Sequence, residues 1–212
     1  MSIDDSLLLA INGWRSAWAD TFMYLYSGKL VWVPLYVTLA FVLWRSMGWR
    51  KTLYALIAVA LTITLADQVT ASVLRPIFCR LRPSNPANPL SEYVQVVRDY
   101  RGGSYGFPSC HAANTFGLAF FLLYTLRHRW LTLFIFLWAL LTCYSRAYLG
   151  VHYPGDLLVG AVVGLASATL CYLLLVRLTR YQHPPTIRHP WLPIATGSLT
   201  TIILLAYALV TA

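Results

Sequence analysis

Seven side chains in this 212-residue sequence, of types that handle a phosphoryl or other oxyanion group, fall in three short clusters. In "LRPIFCRLRP", Arg75 and Arg82 stand seven residues apart beside Pro76 and Pro83, and two guanidinium groups there can hold one tetrahedral anion. In "YGFPSCHAANT", Pro108 and Ser109 precede His111 and an apolar run. Ser109 suits a helix N-cap, the amides beyond it favour an anion, and His111 in the first turn can give a proton to a bound group. In "SRAYLGVHYPGD", Arg146 can grip an oxyanion. His152 can act as a nucleophile if one ring nitrogen is unprotonated, which calls for a carboxylate on the other nitrogen; Asp156 is the only acidic residue near in sequence. Taken singly, each cluster has a plainer reading: arginines snorkelling to headgroups, a capped helix with an interfacial histidine, and a capped helix with a surface histidine.

The elements that must position these clusters are membrane spans. The chain is 58% hydrophobic and 11% charged, with a mean hydropathy of +0.62, far outside the range of soluble domains. Apolar stretches recur at about 21–44, 52–74, 112–126, 130–144, 157–176 and 191–212, most of them near the ~20 residues a helix needs to cross a bilayer. The expected fold is therefore all-α: one integral membrane domain over residues 1–212, a bundle of six transmembrane helices. The opening stretch, interrupted by Asn12 and Arg15, predicts an N-terminal interfacial helix rather than a secretory signal. Six spans place the loops at about 45–51, 127–129 and 177–190 on one face, with Arg45, Arg50, Lys51, Arg127, Arg129, Arg177, Arg180 and Arg188; the positive-inside rule makes that face cytoplasmic. All three clusters then share the opposite face. Three arginines, helix-start amides, a histidine acid and a histidine–aspartate pair, gathered there, fit phosphoryl transfer through a covalent phosphohistidine.

The ordered set "RPIFCRLRP", "PSCH" and "SRAYLGVHYPGD" resembles the three-part signature of the type 2 phosphatidic acid phosphatase family over roughly residues 50–176. The resemblance implies metal-independent dephosphorylation of lipid phosphates or diphosphates. In it His152 attacks phosphorus, Asp156 orients it, His111 protonates the leaving oxygen and then activates water, and Arg75, Arg82, Ser109 and Arg146 hold the phosphoryl oxygens. Arg75 stands where the family usually has lysine, which keeps the charge but in a planar fork. Cys110 stands where glycine is usual; a helix-compatible backbone tolerates its Cβ, so its amide stays among the phosphate-binding groups. The wording of "GGSYGFPSCHAANTFGLAFF" resembles a Bacteroides-type branch that includes undecaprenyl-diphosphate and lipid A phosphatases.

The remaining residues narrow the chemistry. Seven acidic residues, scattered along the chain, are poor material for a two-metal site, so no metal or cofactor is expected. The net charge of +9 lies at membrane boundaries rather than in one patch, which favours the lipid bilayer over nucleic acid as a partner. Asp67, inside the second span, wants a partner and is expected either to support the site or to pack between helices. The stretch 75–108, with its prolines and glycines, reads as a mobile active-site cover, in which Arg98 and Arg101 are candidates for a distal phosphate or glycan. Cys79 and Cys110 share that face and can in principle pair. The expected reaction is hydrolysis of undecaprenyl diphosphate to the monophosphate in a bacterial inner membrane, with the active site facing the periplasm. The alternatives are a lipid A or phosphatidylglycerophosphate phosphatase, or a phosphotransferase with an acceptor other than water. The sequence sets no oligomeric state.

Overall fold

The computed structural model describes residues 1–184 and 186–212, and its described residues are helical apart from loops and one isolated bridge between Leu81 and Tyr105. In chain order the helices are α1 (Ile3–Gly13), α2 (Ala17–Tyr26), α3 (Leu30–Met47), α4 (Trp49–Phe78), α5 (Cys110–Leu126), α6 (Arg129–Tyr148), α7 (Pro154–Thr179) and α8 (Trp191–Thr211). Five of them, α3, α4, α6, α7 and α8, are long and apolar enough to cross a membrane, whereas α5 is apolar but only 17 residues long. The chain is thus an all-helical, multi-pass membrane protein.

The first apolar stretch, expected as one span over 21–44, is broken. The Ser27 hydroxyl donates back to the Tyr24 carbonyl and Gly28 comes next, so α2 stops and a new helix starts at Leu30. The break brings Ser27 and Lys29 to the end of the bundle that carries the three clusters. In α4 the spacing also changes: residues Val69–Leu74 form a π-helical stretch just before Arg75. Such stretches widen a helix and re-aim the turns beyond them, and they occur often at functional sites.

At the centre, α5 crosses α7 through small residues. A Cβ on Gly160 or Gly164 would collide with the backbone carbonyl of Ser109 or Ala113, so glycine at these two positions is what lets the helices approach this closely. Close crossing sets the start of α5 against the start of α7, where the Ser109 amide donates to the Asp156 carbonyl at 3.0 Å. Away from α7, Leu35, Val42, Leu122, Ile135 and Trp138 belong to the largest buried cluster, between α3, α5, α6 and α8.

The stretch after α4, expected as a cover, is tied to the bundle by several hydrogen bonds. Arg101 donates to the Ser84 carbonyl at 2.7 Å, the Ser84 amide donates to Gly150 at 3.0 Å, and Asn88 donates to the Tyr153 hydroxyl at 2.9 Å. Buried Asn12 of α1 accepts from the Gln95 amide at 2.8 Å and donates to the Tyr148 carbonyl at 2.7 Å. Arg98 lies over the Tyr24 ring, so both arginines offered as ligands for a distal group are engaged by the protein itself. Cys79 and Cys110, whose pairing the sequence leaves open, are not bonded to each other: all four thiols are free, that of Cys79 donating to Pro76 and that of Cys110 packed between Thr70 and Arg75.

Candidate active site

The three clusters meet at one end of the bundle. Arg75 leaves the last turns of α4, donating to the Pro108 carbonyl at 3.3 Å and to the Cys110 sulfur at 3.1 Å. Arg82, 6% exposed, donates to the Val151 carbonyl at 2.8 Å. Arg146, 2% exposed, sits in the last turn of α6 and donates to the Ser27 hydroxyl at 3.2 Å and the Tyr100 hydroxyl at 2.9 Å. Each of the three keeps a buried Nε–H with no hydrogen-bond partner. Buried donors are almost always paired, so three such orphans on neighbouring cations are the signature of a group built to receive acceptors. Burial, with repulsion from Arg75 and Arg146 added, pulls the Arg82 pKa down to about 10.

Ser109 is fully buried and caps α5 as expected, its hydroxyl accepting from the Ala112 amide at 3.4 Å. That bond engages the hydroxyl within the helix start. Cys110 and His111 occupy the first turn, and both line a cavity beneath the arginines.

His152 is 1% exposed in the short turn between α6 and α7. Its Nδ1 faces the Asp156 carboxylate at 3.6 Å, an ion-pair distance longer than a good hydrogen bond. Its Nε2 lies 2.9 Å from an Arg82 nitrogen. A guanidinium only donates, so Nε2 accepts, and the proton belongs on Nδ1, facing Asp156. Burial, reinforced by Arg82 and Arg146, holds the His152 pKa well below the ordinary value, and the ring is neutral at physiological pH. Gly106 passes directly over the pair, where a Cβ would come within 3.1 Å of an Asp156 oxygen.

Asp156 is fully buried and heavily supported: it accepts from the Tyr153 amide at 3.0 Å and from Arg80 at 2.8 Å. The other end of the Arg80 fork donates to Asp4 at 2.7 Å, and Asp4 also accepts from the Gly155 amide at 2.8 Å. Sequence reasoning missed this chain of contacts. Arg80 lies inside the first cluster, between two arginines that drew the assignment, and nothing local ties Asp4 to a carboxylate 152 positions away. Tyr100, which holds Arg146, and Lys29, at the rim, were missed too.

The cavity below the arginines has a volume of about 730 Å³ and runs down between α3, α4, α5 and α6. Its upper wall carries Arg75, Arg82, His111 and Arg146, and its lower wall is apolar, with Leu39, Ile63 and Leu118 among its lining. His152 itself does not face this cavity, because Arg82 stands across its Nε2.

The model of the PAP2 superfamily matches residues 51–180, the stretch that carries all three clusters. The chain belongs to this superfamily, and it is an enzyme, a phosphatase. It is 45% identical to a lipid A 4'-phosphatase of Bacteroides thetaiotaomicron over 98% of its own length and 96% of that protein's. A second lipid A 4'-phosphatase, from Porphyromonas gingivalis, is 35% identical over 81% of this chain and 72% of that one. An undecaprenyl-diphosphatase of Sulfolobus acidocaldarius matches at 29% over 68% of this chain and 63% of that one. Among solved structures, that of Aquifex aeolicus LpxE superposes with a TM-score of 0.59 at 26% identity, covering 81% of this chain and 98% of that one.

Proposed function

We propose that the protein hydrolyses the phosphate monoester of a lipid A-type glycolipid through a phosphohistidine on His152. The observation that carries this reading is the ring of three arginines whose Nε–H groups are buried and unpartnered, set beside a neutral buried histidine and open to an apolar cavity. Preorganised donors of this kind stabilise the equatorial oxygens of a transferring phosphoryl group.

In the proposed reaction, Arg82 turns from His152 Nε2 to the incoming phosphoryl oxygens. The freed lone pair attacks phosphorus while the bond to the sugar oxygen breaks, and His111 gives that oxygen its proton. The imidazole now carries positive charge, which Asp156 balances. A water deprotonated by His111 then attacks phosphorus, the P–N bond breaks, and inorganic phosphate leaves with His152 neutral again. The backbone amides at the start of α5, Cys110 included, add donors to the same oxygens. No step requires a cofactor.

The choice of lipid rests on similarity over nearly the whole chain to a lipid A 4'-phosphatase, against a shorter and weaker match to an undecaprenyl-diphosphatase. Undecaprenyl diphosphate, the substrate expected from sequence, is therefore the second reading. We place the reaction at the periplasmic face of a bacterial inner membrane, in a single domain of residues 1–212. There α5 serves as the sixth span, and α1, with Leu8 buried against the bundle, lies along the interface.

The test is release of inorganic phosphate by the purified protein, with no acceptor added, from lipid A, undecaprenyl diphosphate, phosphatidate and phosphatidylglycerophosphate. Lipid A is expected to turn over fastest, and His152→Ala to lower turnover by about 10⁴-fold or more. Faster release from undecaprenyl diphosphate would reverse the order of the two readings. Full activity in His152→Ala would remove both.

A further inference from the structure

The cavity is layered, and its middle layer is neither cationic nor apolar. Along α4 the lining residues descend from Arg75 through Ala71 to Asp67 and then Ile63. Along α5 they descend from His111 through Asn114 to Leu118. Asp67 and Asn114 meet across the two helices, the Asn114 amide donating to one Asp67 oxygen at 3.2 Å. Asn114 keeps its own carbonyl oxygen buried and unpartnered. At a rise of ~1.5 Å per residue, Asn114 lies about 4.5 Å below His111, and Asp67 roughly 10–12 Å along the helix from Arg75. A lipid with its phosphate among the arginines and its chains in the lower cavity therefore places at this level whatever links the two.

A carboxyl group inside a membrane bundle is costly unless something donates to it, and Asn114 supplies a donor to only one of its oxygens. We propose that Asp67 and Asn114 form a subsite that reads hydrogen-bond donors, amide N–H or hydroxyl, in the part of the lipid next to its phosphate. The inference deepens the reading of the cavity as a lipid phosphate monoester site and rests on it. An N-acylated, hydroxyacylated amino sugar carries such donors. A polyprenyl chain carries none, and a diacylglycerol ester offers only acceptors, which face a carboxylate unfavourably. Sites built to pair with a donor reject analogues that lack it, because their own polar groups are then left buried and unpaired. Asp67 makes no hydrogen bond with His152, Asp156 or the three arginines, and only the Cys110 thiol stands between it and Arg75, so it acts on selection rather than on the phosphoryl step.

Ceramide 1-phosphate and phosphatidate separate these chemistries cleanly. Both are phosphate monoesters on two chains, but only the first has an amide N–H and a hydroxyl beside the phosphate. The purified wild type is expected to show kcat/KM at least tenfold higher on ceramide 1-phosphate, and Asp67→Leu to bring the ratio of the two near one, mainly through KM. Should the leucine variant fail to fold, Asn114→Ala and Asp67→Asn report the same ratio, with Asp67→Asn expected to keep part of the preference because its amide oxygen still accepts. A wild-type ratio near one, or a ratio unmoved in the folded variants, overturns the subsite while leaving lipid A hydrolysis standing. Hydrolysis of none of the three lipids would overturn the phosphatase reading first.

Discussion

Two groups of arginines occupy the same end of the molecule and differ in one respect. Arg80, Arg98 and Arg101 turn toward protein partners: two carboxylates, an aromatic ring and a backbone carbonyl. Arg75, Arg82 and Arg146 also touch the protein, but each retains a buried Nε–H with nothing to receive it. The first group holds the chain in place, and the second is held in place by the chain. Residue type cannot distinguish them. What does is whether the surrounding carbonyls and carboxylates use up the donors of the fork.

The sharpest way to break the comparison is to remove a member of the second group. Arg146→Ala is expected to lower kcat/KM for lipid phosphate by about 10²–10³-fold, the usual cost of losing one preorganised donor; a loss under threefold would place Arg146 with the structural set. Arg82 gives a subtler handle, because its pKa sits at about 10. It is charged below that pH and neutral above, so inhibition by vanadate, a mimic of the five-coordinate phosphorus, should weaken as pH rises through that value. A charged hydrogen bond worth ~1.5–3 kcal/mol corresponds to about a tenfold to hundredfold rise in the inhibition constant. Within the first group, Arg80 is the member nearest the chemistry, and its tie to Asp4 tests how far that influence extends. Asp4→Asn should lower kcat about tenfold, by analogy with other groups that orient a site from behind. KM should stay put and Asp4→Glu should recover part of the loss, whereas a fall in melting temperature alone would mark the contact as scaffolding. Smallest of all is Arg101→Ala, expected to leave kcat/KM within twofold while lowering thermal stability. It strands the Ser84 carbonyl, a loss of ~1–3 kcal/mol.

All eight site residues singled out in the sequence lie at one end of the bundle, because each stood at the end of an apolar run and the parity of the spans put those ends together. Arg146 was legible as the last residue of a span, and Ser109 as a cap. The features that escaped had no local signature. The break at Ser27 hides inside a hydrophobic stretch that a hydropathy window averages over, and it alone brings Ser27 to Arg146. Asp4 and Arg80 are joined by tertiary contact across 76 positions, with no periodicity to announce it. In the expected cover the prolines and glycines suggest freedom, and composition gives no sign that the amides of Ser84 and Gln95 and the carbonyl of Arg101 are all bonded.

The brevity of α5 has a physical outcome for the lipid. Seventeen residues of helix span ~26 Å, short of the ~30 Å of bilayer hydrocarbon, whereas α4 and α7, with 30 and 26 residues, exceed it. The Ser109 amide at the start of α5 donates to the carbonyl of Asp156, the third residue of α7, so in the proposed orientation the first turn of α5 is the recessed end. On that proposal the phosphoester is cut at the depth of the acyl carbonyls, and the lipid is trimmed without climbing out of its leaflet.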